Sequence, residues 1–236
     1  MASAYRRALL KLSGEALAGE RGIGLDFDAV GVLADEIERV RAMGVALGVV
    51  VGGGNIIRGA TASAAGLDRV NADYMGMLAT IINALAMQDT LEKRGVHTRV
   101  MTAIRMESLA EPYIRRRALR HLEKDRVVFF AGGTGNPFFS TDTAAALRAL
   151  EMEAEVILKA TNVDGVFTSD PKIDPEAEFL PQLSFHDALV KGYEVMDANA
   201  FGLCKANRLP IVVFNIKEPD AIVRTLRGER VGTLVS

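Results

Sequence analysis

The sequence holds a single cysteine, Cys204, among its 236 residues. One thiol cannot close an internal disulfide, so the chain is expected to work in a reducing compartment. Long apolar runs are missing as well. No stretch reaches the roughly 18–20 residues of a membrane-spanning helix. Near the start, Arg6 and Arg7 precede Ala8, Leu9 and Leu10, but Lys11 interrupts that run at once. An export signal needs an apolar core of about 7–15 residues, so a cytoplasmic location is expected. Charge of one sign is also scarce. A formal net charge of −2 argues against a protein built mainly to grip a nucleic-acid backbone.

Several chemical signatures are absent. There is no G-x-x-x-x-G-K-[ST], which excludes a P-loop kinase. No G-x-G-x-x-G fits: Phe138 follows Gly133 and Gly135 where a third glycine is needed, and Ile57 follows Gly52 and Gly54. A nicotinamide-binding enzyme is therefore disfavoured. No G-x-S-x-G occurs, and no nucleophile stands beside a base. His97, His121 and His186 are isolated from other candidate ligands, so no transition-metal site is legible. Cys204 lies in a helical, largely apolar stretch and reads as a small core residue.

What is present is an ordinary globular composition, 49% hydrophobic and 25% charged. Strands are expected at Arg7–Leu12, Val45–Val51, His97–Met101, Val127–Phe130, Glu155–Lys159 and Ile211–Phe214, with Gly232–Val235 closing the sheet edge. A short β segment is expected at Val166 and Phe167. Helices are expected between them: one capped by Asp26 or Asp28 and running to about Met43, and a long one over Asp73–Arg94. A basic helix opened by Pro112 carries Arg115, Arg116, Arg117, Arg120 and Lys124; flanking Glu111, Glu123 and Asp125, with no aromatics interleaving the arginines, make it a solvated or interface face rather than a nucleic-acid patch. Shorter helices follow Ser140, span Ser184–Lys191 and Met196–Asn207, and start at Pro219. The Asp73–Arg94 helix is apolar on almost every side, through Tyr74, Met75, Met77, Leu78, Ile81, Ile82, Leu85 and Met87. Such a helix is buried on more than one face, shared between the core and a subunit contact. Strands alternating with helices define an α/β fold, a mostly parallel sheet sandwiched by helices in one compact domain of two lobes over residues 1–236.

Three glycine-rich turns each follow an apolar strand: Lys11-Leu12-Ser13-Gly14, Gly52-Gly53-Gly54-Asn55 and Gly133-Thr134-Gly135-Asn136. In open α/β sheets ligands sit beyond the carboxyl ends of the strands. Backbone N–H groups in such turns suit anions, and a helix start at Ser140, Thr141 and Asp142 adds to the third. Three of them point to a phosphate-rich ligand or two ligands meeting. Lys11 and Lys159 each close an apolar strand, which brings two cations to the same edge. That combination fits phosphoryl transfer, where positioned cations neutralise the migrating group.

The motifs LLKLSGEAL (9–17), VVGGGNIIRGA (50–60), DYMGMLAT (73–80), GTGNPFFSTD (133–142), LKATNVDGVFTSDP (158–171) and Val195-Met196-Asp197 resemble those of the bacterial UMP kinase (uridylate kinase) family of the amino-acid-kinase fold, from Arg7 to Leu234. The resemblance implies transfer of the γ-phosphoryl of ATP to UMP, in de novo pyrimidine nucleotide synthesis, on a three-layer αβα fold with an N-terminal acceptor lobe and a C-terminal ATP lobe. It implies that Lys11, Leu12, Ser13 and Gly14 form the nucleotide-phosphate turn, and that Gly54 and Arg58 face the ATP phosphates. Thr161, Asn162, Phe167 and Asp170 would meet ATP, while Gly53, Asp73, Thr134, Gly135, Asn136, Pro137, Phe138, Phe139, Ser140 and Thr141 would hold UMP. Lys11, Lys159 and Arg58 would serve catalysis, with Asp142 and Asp197 orienting the lysines. Mg²⁺ would accompany ATP with no protein ligand assigned. A homohexamer activated by GTP and inhibited by UTP is also implied, with no membrane and no nucleic acid required. The effector-linked residues would be Gly19, Glu20, Arg21, Gly22, Ile23 and Gly24, together with Arg99 and Arg126; Gln88 and Glu92 stand where some relatives carry basic residues. Two other readings compete: an acylphosphate-forming kinase of the same fold, which needs no ribose-binding acid such as Asp73, and a non-enzymatic nucleotide sensor, which would not need both lysines and both carboxylates.

Overall fold

The computed structural model describes residues 3–58, 63–64, 66–171 and 173–236. In chain order the strands are β1 (Arg7–Leu12), β2 (Ala46–Val51), β3 (Thr98–Thr102), β4 (Glu111–Pro112), β5 (Val127–Ala131), β6 (Val156–Thr161), β7 (Val166–Phe167), β8 (Phe179–Leu180), β9 (Gln182–Leu183), β10 (Ile211–Asn215) and β11 (Thr233–Val235). The helices are α1 (Phe27–Ala42), α2 (Arg69–Glu92), α3 (Arg115–Leu122), α4 (Thr141–Glu151), α5 (Phe185–Lys191), α6 (Ala198–Asn207) and α7 (Ala221–Leu226).

Among the described residues, nine strands form one sheet in the order β4-β3-β5-β2-β1-β6-β10-β11-β9. Every pairing within that sheet is parallel except β10 with β11, and β7 pairs antiparallel with β8 apart from it. The strands are near-continuous apolar runs because helices cover both faces. Alternation along β1 sends Leu10 and Leu12 into one core with Ile37, Met87 and Phe129, and Leu9 into the other with Val50, Phe130 and Ile157. Truncating one of these fully buried leucines to alanine costs about 2–5 kcal/mol, through lost transfer energy and the cavity left behind.

Strand β1 lies between β2 and β6, so the chain leaves it in one direction and returns on the other side. The turns that follow these strands gather at one edge, which is where the crevice of an open α/β sheet forms.

Apart from shifts of one or two residues at strand and helix ends, four differences from the sequence expectation bear on the layout. Helix α2 begins at Arg69, not Asp73, because the Asp68 carboxylate accepts the Asn71 N–H and caps it earlier. Pro112 sits in the edge strand β4 beside β3, where its missing N–H costs nothing; α3 starts at Arg115. Pro219 precedes α7 by two residues, with Asp220 in the left-handed region between them. Finally, β11 is not the sheet edge, since Gln182–Leu183 pairs outside it. On α2, Met77, Ile81 and Met87 are buried, while Tyr74, Met75, Leu78 and Ile82 remain exposed.

Candidate active site

The centre of the site is set by strand register. Lys11 of β1 and Lys159 of β6 are direct partners in the parallel ladder. Neither ends its strand: Lys11 is followed by Leu12, and β6 continues to Thr161. Both side chains therefore rise from the same face near the strand ends, where they meet Asp142 in the first turn of α4. Lys11 Nζ lies 2.8 Å from Asp142 Oδ1, an ion pair outside hydrogen-bond alignment. Lys159 Nζ donates to Asp142 Oδ2 at 2.8 Å and to the Val195 carbonyl at 2.7 Å.

Ser140 makes this placement possible. Its hydroxyl accepts the N–H groups of Asp142 and Thr143, which caps α4 and fixes where the Asp142 carboxylate starts. Burial pushes the Asp142 carboxyl up, but Lys11 and Lys159 outweigh it and leave it below the usual carboxylate range. Lys159 moves down from the usual ammonium range, first because it is buried, with Lys11 adding to the effect and Asp142 opposing it. Two ammonium groups held this close are a ready receiver for an anion of more than one charge.

Asp197 does not orient the lysines by contact. It caps α6, accepting from Asn199 and Ala200 N–H, and receives the hydroxyls of Ser140 and Thr143. Its carboxylate ties the start of α6 to the start of α4, and reaches Lys159 only through its field. Thr143 is a participant the sequence did not flag; its signal was a hydroxyl on the buried side of a helix's first turn.

The glycine turns pack against one another. The Gly52 N–H donates to the Leu12 carbonyl at 2.9 Å. A Cβ on Gly14 would lie 2.4 Å from Asn55 Oδ1 and 2.8 Å from the Gly54 nitrogen, so the first and second turns touch through backbone. A Cβ on Gly53 would meet the Gly76 carbonyl of α2 at 2.6 Å. In the third turn Gly132, Gly133 and Gly135 all have φ between 58° and 80°, which favours glycine. The Gly132 N–H donates to Thr80 of α2.

Asp73 faces that third turn. Its carboxylate accepts the Phe138 N–H at 2.8 Å and the Arg69 guanidinium at 2.9 Å, with Arg69 also over the Phe138 ring. Asn136 is held by Thr134, whereas Phe138 and Phe139 stay largely exposed. Arg58 pairs with Glu15 beside the first turn and lies near Gly54. Thr161 bonds the Val163 and Phe214 carbonyls, Asn162 reaches Glu15, and Phe167 packs edge-on to Phe179. A cleft of ≈ 550 Å³ opens at Lys159, Asp142 and Asp197, and one of ≈ 820 Å³ at Glu15, Asn162, Gly19, Gly22 and Lys217.

Farther away, Gly19–Arg21 forms a 3-10 turn on the second cleft's wall. Arg99 pairs with Glu92 and Glu111, and Arg126 with His121, whose other ring nitrogen meets Glu111. His121 is thus not isolated, though among the described residues no group of acids, histidines and cysteines is arranged to hold a metal. Cys204 is buried, and that burial, aided by the Asp142 and Asp197 charges, pushes its thiol up to about 12. Among the described residues no helix is long and apolar enough to cross a membrane.

Comparison with known proteins agrees with this fold. Residues 6–215 match the model of the amino acid kinase family. The solved UMP kinase of Bacillus anthracis is similar at 43% identity and TM-score 0.95, over 98% of this chain and 96% of that one. The UMP kinase of Ureaplasma parvum is 41% identical, with TM-score 0.93 over 98% of both chains. The uridylate kinase of Archaeoglobus fulgidus is 29% identical, with TM-score 0.73 over 97% of this chain and 99% of that one.

Proposed function

Given that the chain belongs to the amino acid kinase family, we propose that it is a UMP kinase, moving the γ-phosphoryl group of ATP onto UMP to give UDP and ADP in pyrimidine nucleotide synthesis. The similarity to two solved UMP kinases over almost the whole chain supports the substrate pair. The observation that carries the chemistry is Lys11 and Lys159 side by side in register, bridged by Asp142.

A UMP phosphate oxygen is anionic near neutral pH, so attack on the γ-phosphorus needs no general base. Catalysis then rests on alignment and on neutralising charge as it spreads over the transferred oxygens. In this reading Lys11 and Lys159 supply the positive charge, and Asp142 keeps both ammonium groups aimed at one point. The Lys11–Gly14 and Gly54 turns hold the ATP phosphates, with Arg58 released from Glu15 to join them. Thr161, Asn162, Phe167 and Asp170 take the adenosine side. Gly53 and the Thr134–Thr141 loop enclose UMP, and Asp73 receives its ribose. The acceptor lobe then lies toward β2 and β5, and the ATP lobe toward β6 and β10, on either side of β1.

Mg²⁺ takes oxygen ligands and keeps several waters. Asp142 is held by two ammonium groups and Asp197 by hydroxyls and amides, so the ATP phosphate oxygens are the donors that suit the ion. When bound it adds neutralising charge to the same oxygens. Assembly into a homohexamer in the cytoplasm, with GTP activating and UTP inhibiting, belongs to the same proposal. The exposed Tyr74, Met75, Leu78 and Ile82 of α2 support a subunit contact. An effector phosphate at Arg99 and Arg126 would have to displace Glu92, Glu111 and His121.

The test is a screen of acceptors with ATP and Mg²⁺: UMP, dUMP, CMP, other nucleoside monophosphates and N-acetylglutamate. ADP release with UMP well above the rest is expected. Turnover with N-acetylglutamate alone, or none with any acceptor, would overturn the reading.

A further inference from the structure

We infer that Asn55 and Asn83 are positioning residues for the transfer: a buried, reciprocal amide pair that locks the turn after β2 and the segment at Gly24 onto helix α2. The catalytic part of this rests on the function proposed above. The geometric part stands on the hydrogen bonds alone.

Both side chains are withdrawn from solvent, Asn83 completely. Asn83 Nδ2 donates to the Gly52 carbonyl at 2.7 Å and to Asn55 Oδ1 at 2.7 Å. Asn55 Nδ2 returns a bond to Asn83 Oδ1 at 3.1 Å and donates to the Gly24 carbonyl at 2.6 Å. Each amide has two N–H donors, so all four are used. Flipping either amide would set its oxygen against the Gly24 or Gly52 carbonyl, which fixes both orientations. The Gly24 N–H also donates to the Asn55 carbonyl at 2.7 Å, so Gly24 and Asn55 are joined from both sides.

This pair touches the first and second turns of the site. Gly52 carries the second turn, and Asn55 Oδ1 is the wall against which Gly14 of the first turn rests. Thr80, three residues before Asn83 on the same face of α2, accepts the Gly132 N–H of the third turn at 2.8 Å. One helix face therefore sets the spacing of all three anion-ready turns. Gly24 lies two residues after Gly22, which lines the second cleft, so the pair also anchors the chain leading from that wall to the turns. A buried polar network is worth keeping only when every member is satisfied, and this one is. A shift of about 1 Å in a positioning group costs roughly 100-fold in rate.

The test compares the whole protein with Asn83→Ala, Asn55→Ala and the double variant, well below their unfolding temperatures. Hydrogen exchange read by mass spectrometry covers 19–24, 50–56 and β1. In Asn83→Ala, exchange at 19–24 and at 50–56 is expected to rise ~10-fold or more, with β1 still protected, because removing the pair frees turns remote in sequence from residue 83. With ATP and UMP, kcat is expected to fall ~10–100-fold in each single variant while KM for either nucleotide stays within ~3-fold. The double variant should be no worse than about twice the poorer single, since the two amides act as a unit. Faster exchange confined to α2, kcat within about twofold of the parent, or losses that multiply in the double variant would overturn the inference. If Asn83→Ala fails to fold, Asn83→Ser, which keeps a donor hydroxyl, is read by the same criteria. A parent inactive toward UMP sinks the proposed function, while the exchange comparison still decides the positioning claim.

Discussion

Replacing Asp142 by asparagine removes the charge between two lysines without changing the side chain's size. In the parent, one carboxylate oxygen faces each ammonium group at 2.8 Å, and the three side chains are only 12–16% exposed. Removing one partner of a buried ion pair costs about 3–5 kcal/mol. Here the asparagine oxygen still accepts from one lysine and the cleft admits water, so the lower end, about 3 kcal/mol, is the appropriate value. For a chain of this size that lowers Tm by roughly 6–12 °C. Transfer to UMP should lose about 10²–10³-fold in kcat, the range for removing one element of transition-state electrostatics. The pH behaviour gives a sharper signature. Burial and Lys11 both lower the Lys159 pKa, and Asp142 raises it. Without that carboxylate, burial and Lys11 are opposed only by the field of Asp197, so the alkaline limb of the kcat profile moves to lower pH. On the acid side, the Asp142 pKa is depressed in the folded protein. Its stabilisation is complete above the ordinary value near 3.8 and fades as pH falls through the lower folded value. The variant should lack that acid loss. Melting curves by scanning fluorimetry and a coupled ADP assay across pH decide the matter. A Tm within about 2 °C of the parent, or an alkaline limb that stays or moves up, would refute the reasoning.

Other consequences can be checked separately. Asp73→Asn removes a charged acceptor worth about 1.5–3 kcal/mol, so UMP affinity by calorimetry should weaken ~10–100-fold with a smaller change in kcat; unaltered affinity counts against the ribose contact. Gly14→Ala drives a methyl into Asn55 and the Gly54 backbone. Overpacking of about 1–3 kcal/mol should lower Tm by roughly 2–12 °C, and an unchanged Tm would mean the two turns are not in contact. The Cys204 thiol, buried and shifted up to about 12, should resist a thiol reagent until the protein unfolds. Rapid labelling of the native protein would contradict its place in the core.

Much of this arrangement could be read before any coordinates, for reasons that differ from element to element. Arg7–Leu12 has the same bounds in the structure as in the sequence reading, because an apolar run stopped by Ser13 and Gly14 is a local signal. Ser140 as a cap is equally local. The convergence of Lys11 and Lys159 was legible only as a shared edge; their direct pairing is a fact of register. Strands Glu111–Pro112 and Gln182–Leu183 have two residues each, too few for a period, and exist because a longer neighbour offers an edge. Asp197 finds its partners in Ser140 and Thr143, more than 50 residues earlier, and caps a helix rather than touching a lysine. Resemblance implied a role for Asp197 at the site but not its contacts. Nothing in the sequence singled out Asn83, and only the fold brings Asn55 and Gly52 to it.

The claim beneath all of this is that the paired ammonium groups act on the migrating phosphoryl group and not on ground-state binding. The most direct measurement is kcat for ATP-to-UMP transfer by Lys159→Ala, set beside the UMP dissociation constant of the same protein. The account predicts a fall in kcat of about 100-fold or more with UMP affinity within a few-fold of the parent. An unchanged kcat, or a loss confined to UMP affinity, would contradict it.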